Sequence, residues 1–274
     1  MEVGEVRVAM DSDFMKLRDL CEEIDGWKVE YNKNGISVHT KHNDISDFKM
    51  VKIRSVMNYS AQTVYDVLHD PEYRKVWDHS MKESYEIGYL NPNNDIGYYS
   101  LKCPSPMKNR DFVLQRSWLD TGPHLYILNH SVNHEDLPPR KGIVRGISYL
   151  TGYWLKVLTP KSCEFNYVTQ ADPKGKLPKW LVNRATHIVA PKTVKLVQKA
   201  CKGYDSWKAK NNPNQKPWIY PEQIKVPRIN LEDPKILPMD HAQSMDSLDE
   251  SELKESDMSQ SELSELNAGE NGDI

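Results

Sequence analysis

At 274 residues and 31.7 kDa, with 38% hydrophobic residues, the chain is long enough for one sizeable domain with its own core. No run of about 18 apolar residues occurs, which excludes a membrane-spanning helix, and the polar, acidic opening MEVGEVRVAMDSD does not read as a secretory signal. The formal net charge of −3 hides an asymmetry: residues 240–274 carry 11 Asp and Glu against one Lys, a net of −10, which leaves residues 1–239 at +7.

In chain order, residues 1–10 read as an extension, and Asp11 or Ser12 can cap a first helix. Phe14, Leu17, Cys21 and Ile24 mark its apolar face. Asp25-Gly26 ends it. Three strand-like runs follow, Trp27–Tyr31, Ile36–Thr40 and Phe48–Met57, the first two joined by an Asn34-Gly35 hairpin signal. Ser60 caps a helix over Ala61–His69. Asp70-Pro71-Glu72 then supplies an N-cap, a proline at the first position and an acidic first turn for a short helix holding Tyr73, Arg74, Trp77 and Asp78.

From Ser84 to Gln170 strand signals recur about every dozen residues, over Ser84–Leu90, Gly97–Lys102, Phe112–Trp118, His124–Val132, Ile143–Leu158 and Cys163–Gln170. Gly146 and Gly152 in the long fifth run are read as bulges that let it coil. The longest helical candidate is Pro178–Tyr204, with Gly203 as a C-cap. Leu181, Ala185, Ile188 and Val189 form one stripe; Val194, Val197, Cys201 and Tyr204 form another, nearly opposite. Pro191 sits at the break, either a plain kink in a core helix or a hinge in a lid. Prolines then repeat through 212–239, read as a linker, and the acidic, Ser-rich 240–274 reads as a disordered tail. The domain is therefore expected over 11–211.

No G-x-S-x-G, H-E-x-x-H, Walker loop or G-x-G-x-x-G occurs, and the nine His stand in no metal-ligand spacing, so neither catalytic nor metal residues are assigned. The four scattered Cys read as reduced thiols of a cytosolic protein. A basic body suits anionic surfaces, but no Arg stripe interleaved with aromatics points to nucleic acid.

Arg74 and Asp78 are the most informative pair. As a surface i, i+4 pair they would contribute about 0.3–0.5 kcal/mol. Turned inward, Arg74 becomes a planar fork for a phosphate, with Asp78 balancing its charge. Strand alternation adds Tyr99, Leu101 and Cys103 on one face, Phe112, Leu114, Arg116 and Trp118 on another, and Ile147, Tyr149 and Tyr153 on a third. These read as a core aromatic cluster or as a cage for a quaternary ammonium.

Three motifs in register, Glu72–Asp78, Pro106–Val113 and Pro178–Asn183, resemble START lipid-binding domains, most closely the phosphatidylcholine transfer group and its PCTP-like branch. The resemblance spans about residues 11–208. It implies an α+β helix-grip fold: a curved antiparallel sheet of about nine strands wrapped on a long C-terminal helix, with a lipid tunnel between them. It implies that Arg74 meets the lipid phosphoryl and Asp78 pairs with it, and that Tyr99, Phe112 and Tyr149 surround the head group. Tyr99 stands where the choline-specific pattern has Trp, and Phe112 where it has Tyr. Phosphatidylethanolamine is therefore expected as a ligand beside phosphatidylcholine. The loop Cys103–Asn109, with Pro104 and Met107, and Pro191 would form the gate. No cofactor is expected besides the bound phospholipid, and the expected protein is a cytoplasmic monomer that touches membranes transiently. Its role is transfer between membranes; a lipid-sensing adaptor is the alternative, and a hydrolase or thioesterase using the same cavity is a third. Ser247 and Ser259 have an acidic residue at +3, making them candidate sites for an acidophilic kinase such as casein kinase 2.

Overall fold

The computed structural model describes residues 1–178, 180, 190–233, 235–239 and 249–259. The chain opens with helix α1 (Asp11–Glu22) and a meander of β1 (Lys28–Lys33), β2 (Ile36–Asn43) and β3 (Ser46–Met57). Helices α2 (Ala61–His69) and α3 (Pro71–Trp77) follow, then β4 (Met81–Asn91), β5 (Asn94–Leu101), β6 (Asn109–Asp120) and β7 (His124–Ser131). Short β8 (Asn133–His134) and β9 (Ile143–Arg145) lead to β10 (Ile147–Thr159) and β11 (Ser162–Asp172). The described part of the C-terminal helix, α4, is Ala190–Lys208. Nine strands run antiparallel in the order β1-β2-β3-β11-β10-β7-β6-β5-β4, with β9 added parallel to β6. The expected α+β sheet of about nine strands with a C-terminal helix is what the chain forms.

Local chemistry accounts for the starts and turns. Lys33 pairs with Ile36 across Asn34 and Gly35, both at positive φ, as a two-residue hairpin turn requires. The Ser60 hydroxyl accepts from Thr63 N at 3.0 Å. The Asp70 carboxylate accepts from Glu72 N and Tyr73 N, each at 3.1 Å, ahead of Pro71. Helix α1 differs from expectation, because Met10 holds its cap position. Neither Asp11 nor Ser12 caps it; Asp13 reaches back instead, accepting from Met10 N at 2.8 Å and from Arg7 at 2.7 and 2.9 Å. Ile24 lies past the helix end and is exposed.

The two faces of the sheet are covered differently. Phe14, Leu17 and Cys21 of α1 bury against Tyr126, Leu128, Trp154 and Val168 on the outer face. Gly152 makes room for that contact, since a Cβ there would stand 2.6 Å from Leu17. Gly146 likewise admits the Phe112 ring, 2.5 Å from where its Cβ would lie. The bulge expected at these glycines sits between them, at Tyr149, where the β10–β11 register shifts between Ser148 and Leu150.

Helices α2, α3 and α4 cover the inner face with the main core. Val194, Val197, Cys201 and Tyr204 of α4 are all buried against Val64, Leu68 and Tyr73. The first stripe expected in this helix, Leu181 to Val189, lies outside the described residues. Gly203 does not end the helix, which runs on to Lys208. The glycine serves close packing there: the Tyr73 hydroxyl, donating to Ala200 O at 2.7 Å, lies 2.9 Å from where a Gly203 Cβ would stand.

The segment 212–239, expected as a linker, instead packs onto the domain through its described residues. Its prolines restrict ladder pairing but not burial. Trp218 is buried, stacks on His69 at 5.8 Å and donates to Asp66 at 2.8 Å. Ile229 packs with Leu90, Ile96 and Tyr98 on the outer face, and Ile236–Leu237 (β12) pairs with β8.

Two histidines are locked into this packing. Buried His69 donates Nδ1–H to Tyr65 O at 3.0 Å, and buried His130 donates Nε2–H to Glu5 O at 2.7 Å. Burial holds both below the ordinary histidine value. The unfolded chain therefore takes up protons first, so stability is lost as pH falls through about 6.5, approaching about 1.4 kcal/mol per unit per histidine. Urea midpoints are expected to fall between pH 7.5 and 5.5. His69→Gln should flatten that slope.

Candidate lipid-binding site

The inner face of the sheet alternates in an unusual way. Along β5, Gly97, Tyr99 and Leu101 remain half-buried while Tyr98 and Ser100 between them are buried. The same holds for Leu114 and Arg116 on β6, Asn129 on β7, Thr151 and Tyr153 on β10, and Tyr167 and Thr169 on β11. In each case the neighbours that are fully covered point outward, under α1, the first ten residues or the 212–239 segment. These half-buried inner-face positions lie beside the filled core under α2, α3 and α4, and their accessibility marks a hollow next to that core.

Arg74 enters this hollow from α3. Its Nε donates to Asp78 Oδ2 at 3.1 Å, with the Arg74 side chain 25% and the Asp78 side chain 9% exposed. The inward reading of the pair is therefore the one the structure adopts. Asp78 also accepts from the Tyr99 hydroxyl at 2.9 Å and the Ser80 hydroxyl at 2.6 Å. Burial pushes the Asp78 carboxyl up, but the Arg74 charge and these hydrogen bonds hold it below the ordinary aspartate value. Burial pushes the Tyr99 phenol up, against the pull of Arg74 and with the help of Asp78. The Arg74 guanidinium lies 5.2 Å from the Tyr99 ring centroid and 5.6 Å from that of Trp77. Asp78 takes only Nε of the fork, and no described residue accepts from its two terminal nitrogens. They remain able to grip an oxyanion in a bidentate fashion.

The three expected cage residues separate. Tyr99 and Phe112 are direct cross-strand partners on the inner face, and Phe112 is buried. Tyr149 occupies the β10 bulge and lines an open groove of about 500 Å³ with His42, Ile45, Phe48 and Asp172 at the β2–β3 turn. One extra residue breaks the alternation that placed Ile147, Tyr149 and Tyr153 on a single face. Tyr153 stands inside, close enough to feel the Arg74 charge, and its ring lies 4.7 Å from that of Tyr167.

Arg116 lies on the inner face, as alternation along β6 predicts. It is held by Asp95 at 2.5 Å and Glu86 at 3.1 Å, and its charge reaches Arg74. Tyr167 and Asn129 were missed, although continuing the same period-two count along β11 and β7 would have found them. Among the described residues no group of three His, Cys, Asp or Glu could hold a metal, and no described helix is long and apolar enough to cross a membrane.

The expected gate loop lies at the end of β5. Met107 is buried there, with its N–H on Pro104 O at 2.9 Å, and Asn109 accepts from Cys103 N at 3.0 Å. Pro191 is buried near the start of the described helix. Ser247 lies outside the described residues; Ser259 lies within them.

The family model for the START domain matches residues 7–206. The chain belongs to the START family. This START chain is 45% identical over 254 residues to mouse START domain-containing protein 10, covering 92% of this chain and 86% of the mouse protein. It is 29% identical over 183 residues to human phosphatidylcholine transfer protein, covering 65% and 85%. The crystal structure of human STARD10 superposes with a TM-score of 0.79 at 45% identity, covering 82% of this chain and 93% of that one. The START membership expected from the three motifs is thereby established, with likeness to both START domain-containing protein 10 and phosphatidylcholine transfer protein.

Proposed function

We propose that the protein binds one phospholipid, phosphatidylcholine or phosphatidylethanolamine, in the hollow and carries it between membranes within the cytoplasm. The observation that carries this reading is the Arg74–Asp78–Tyr99 constellation inside an accessible interior. A guanidinium fork held by a carboxylate suits a phosphodiester and not an uncharged sterol or fatty chain. The likeness to mouse START domain-containing protein 10 and to human phosphatidylcholine transfer protein supports it. Tyr99 already carries Arg74 against its ring and spends its hydroxyl on Asp78. That leaves a poor cage for a quaternary ammonium, so choline and ethanolamine head groups should be accepted alike. The loop Cys103–Asn109 and the helix at Pro191 serve as the gate in this reading, and phosphorylation of the acidic tail, at Ser247 or Ser259, would weaken contact with anionic membranes.

Mass spectrometry of the lipid that co-purifies from cells should show intact diacyl phospholipid of both head groups, and donor–acceptor vesicle assays should move both at rates within about tenfold of each other. Strict choline selectivity would remove the head-group argument. Binding without transfer would favour a lipid-sensing adaptor.

A further inference from the structure

The described part of the acidic tail, residues 249–259, lies on the domain beside the gate loop. Glu250 is 2% exposed and forms an ion pair with Arg110, also 2% exposed, at 2.6 Å. Its other carboxylate oxygen accepts from Lys108 N at 2.9 Å. Four of the five Arg110 N–H donors are engaged: it bonds Lys108 O at 2.6 Å, Pro173 O at 3.1 Å and Lys174 O at 3.2 Å besides Glu250. One guanidinium thus ties together the loop 103–109, the chain leaving β11 and the tail. The tail is fixed on both sides of that pair. Glu250 N donates to Lys176 O at 3.0 Å, Asp249 pairs with Lys176 Nζ at 3.0 Å, and the Trp180 indole donates to Leu253 O at 2.9 Å. Met258 is buried beyond them.

We propose that residues 249–258 are a latch in cis that holds the gate shut, with Glu250 as its bolt. The inference rests on the reading of 103–109 and the approach to the C-terminal helix as the moving parts. Both are joined to the same ten-residue strip, so neither can swing away while Glu250 stays seated. The strip also suggests how it is released. Residues 249–257 contain five Asp and Glu against one Lys, and they neutralise the basic neighbourhood of Arg110, Lys174 and Lys176. An anionic bilayer offers the same charge at higher density and competes for the same cations. Docking on such a surface therefore favours the unlatched state, because the surface binds that state better.

The test compares the 274-residue chain with Glu250→Gln and with a chain ending at 248. Glu250→Gln keeps the side-chain shape and leaves the fold's main cores untouched. Hydrogen exchange of the 103–110 amides should quicken in both variants. Transfer of a fluorescent phosphatidylcholine between neutral phosphatidylcholine vesicles should rise on the order of tenfold, within the span of ordinary coupling energies. Adding phosphatidylserine to the vesicles should speed the parent protein more than either variant. Unchanged exchange in the loop overturns the latch. A loosened loop with unchanged transfer overturns its gating role. Absence of lipid transfer in all three proteins overturns the functional reading instead, and the loop's exchange then decides the latch alone.

Discussion

Arg74→Ala is expected to purify without phospholipid and to move none between vesicles, because the hollow loses the guanidinium that Asp78 holds by its Nε alone. The same substitution strands a carboxylate that is 9% exposed. Removing one partner of a buried pair costs about 3–5 kcal/mol. Ser80 and Tyr99 still donate to Asp78, so a loss near the lower end, about 3 kcal/mol, is expected here. The pH dependence separates this from simple damage. In the parent, Asp78 is held below its ordinary value, and its contribution is present above about pH 4 and fades as pH falls. Without Arg74, burial dominates and raises the carboxyl, so the variant loses stability as pH rises instead. The gap between the two proteins should therefore narrow on acidification. A double variant, Arg74→Met with Asp78→Leu, should recover stability without recovering lipid. Arg74→Lys keeps the charge but not the fork, and should bind weakly. Normal lipid content in Arg74→Ala would return the pair to a structural role.

Features set by neighbours in sequence were readable in advance. Asp70-Pro71-Glu72 needed only the rules of helix starts, Asn34-Gly35 only those of tight turns, and Val194 to Tyr204 only a 3.6 period. The inner face of β6 was also correct, since uninterrupted alternation fixes which residues share it. Features decided by a distant partner were not legible in this way. The bulge at Tyr149 depends on how β10 pairs with β11, and it removed one expected cage residue. Gly203 looks like a helix end until Tyr73, 130 positions earlier, claims the space above it. Nothing local marks Glu250 as different from its acidic neighbours. Its burial follows from Arg110, 140 residues away, so composition alone reads the strip as solvated tail.

Asp70 is the joint on which the site depends. Its carboxylate, 2% exposed with its residue, caps α3, accepts from Lys208 Nζ at 2.8 Å and from the Tyr204 hydroxyl at 3.1 Å. Its carbonyl accepts the Arg74 N–H at 2.9 Å, so the turn that aims Arg74 is built on this residue. Asp70→Asn preserves the cap but leaves the buried Lys208 ammonium with one neutral partner, Gln215 O at 2.8 Å. A loss of about 3–5 kcal/mol in urea unfolding is expected, the usual cost of an uncompensated buried charge. Asp70→Ala should cost about 1 kcal/mol more, for the cap. Lipid binding should divide the two: Asn keeps the first turn of α3 and retains ligand at low temperature, whereas Ala frees the turn and weakens it. Adding Lys208→Met to Asp70→Asn should restore most of the stability. If Asp70→Asn alone unfolds at the parent's midpoint, the α3–α4 corner is held by its aromatic contacts, Tyr73 with Tyr204 and Trp207, and the ion pair is incidental.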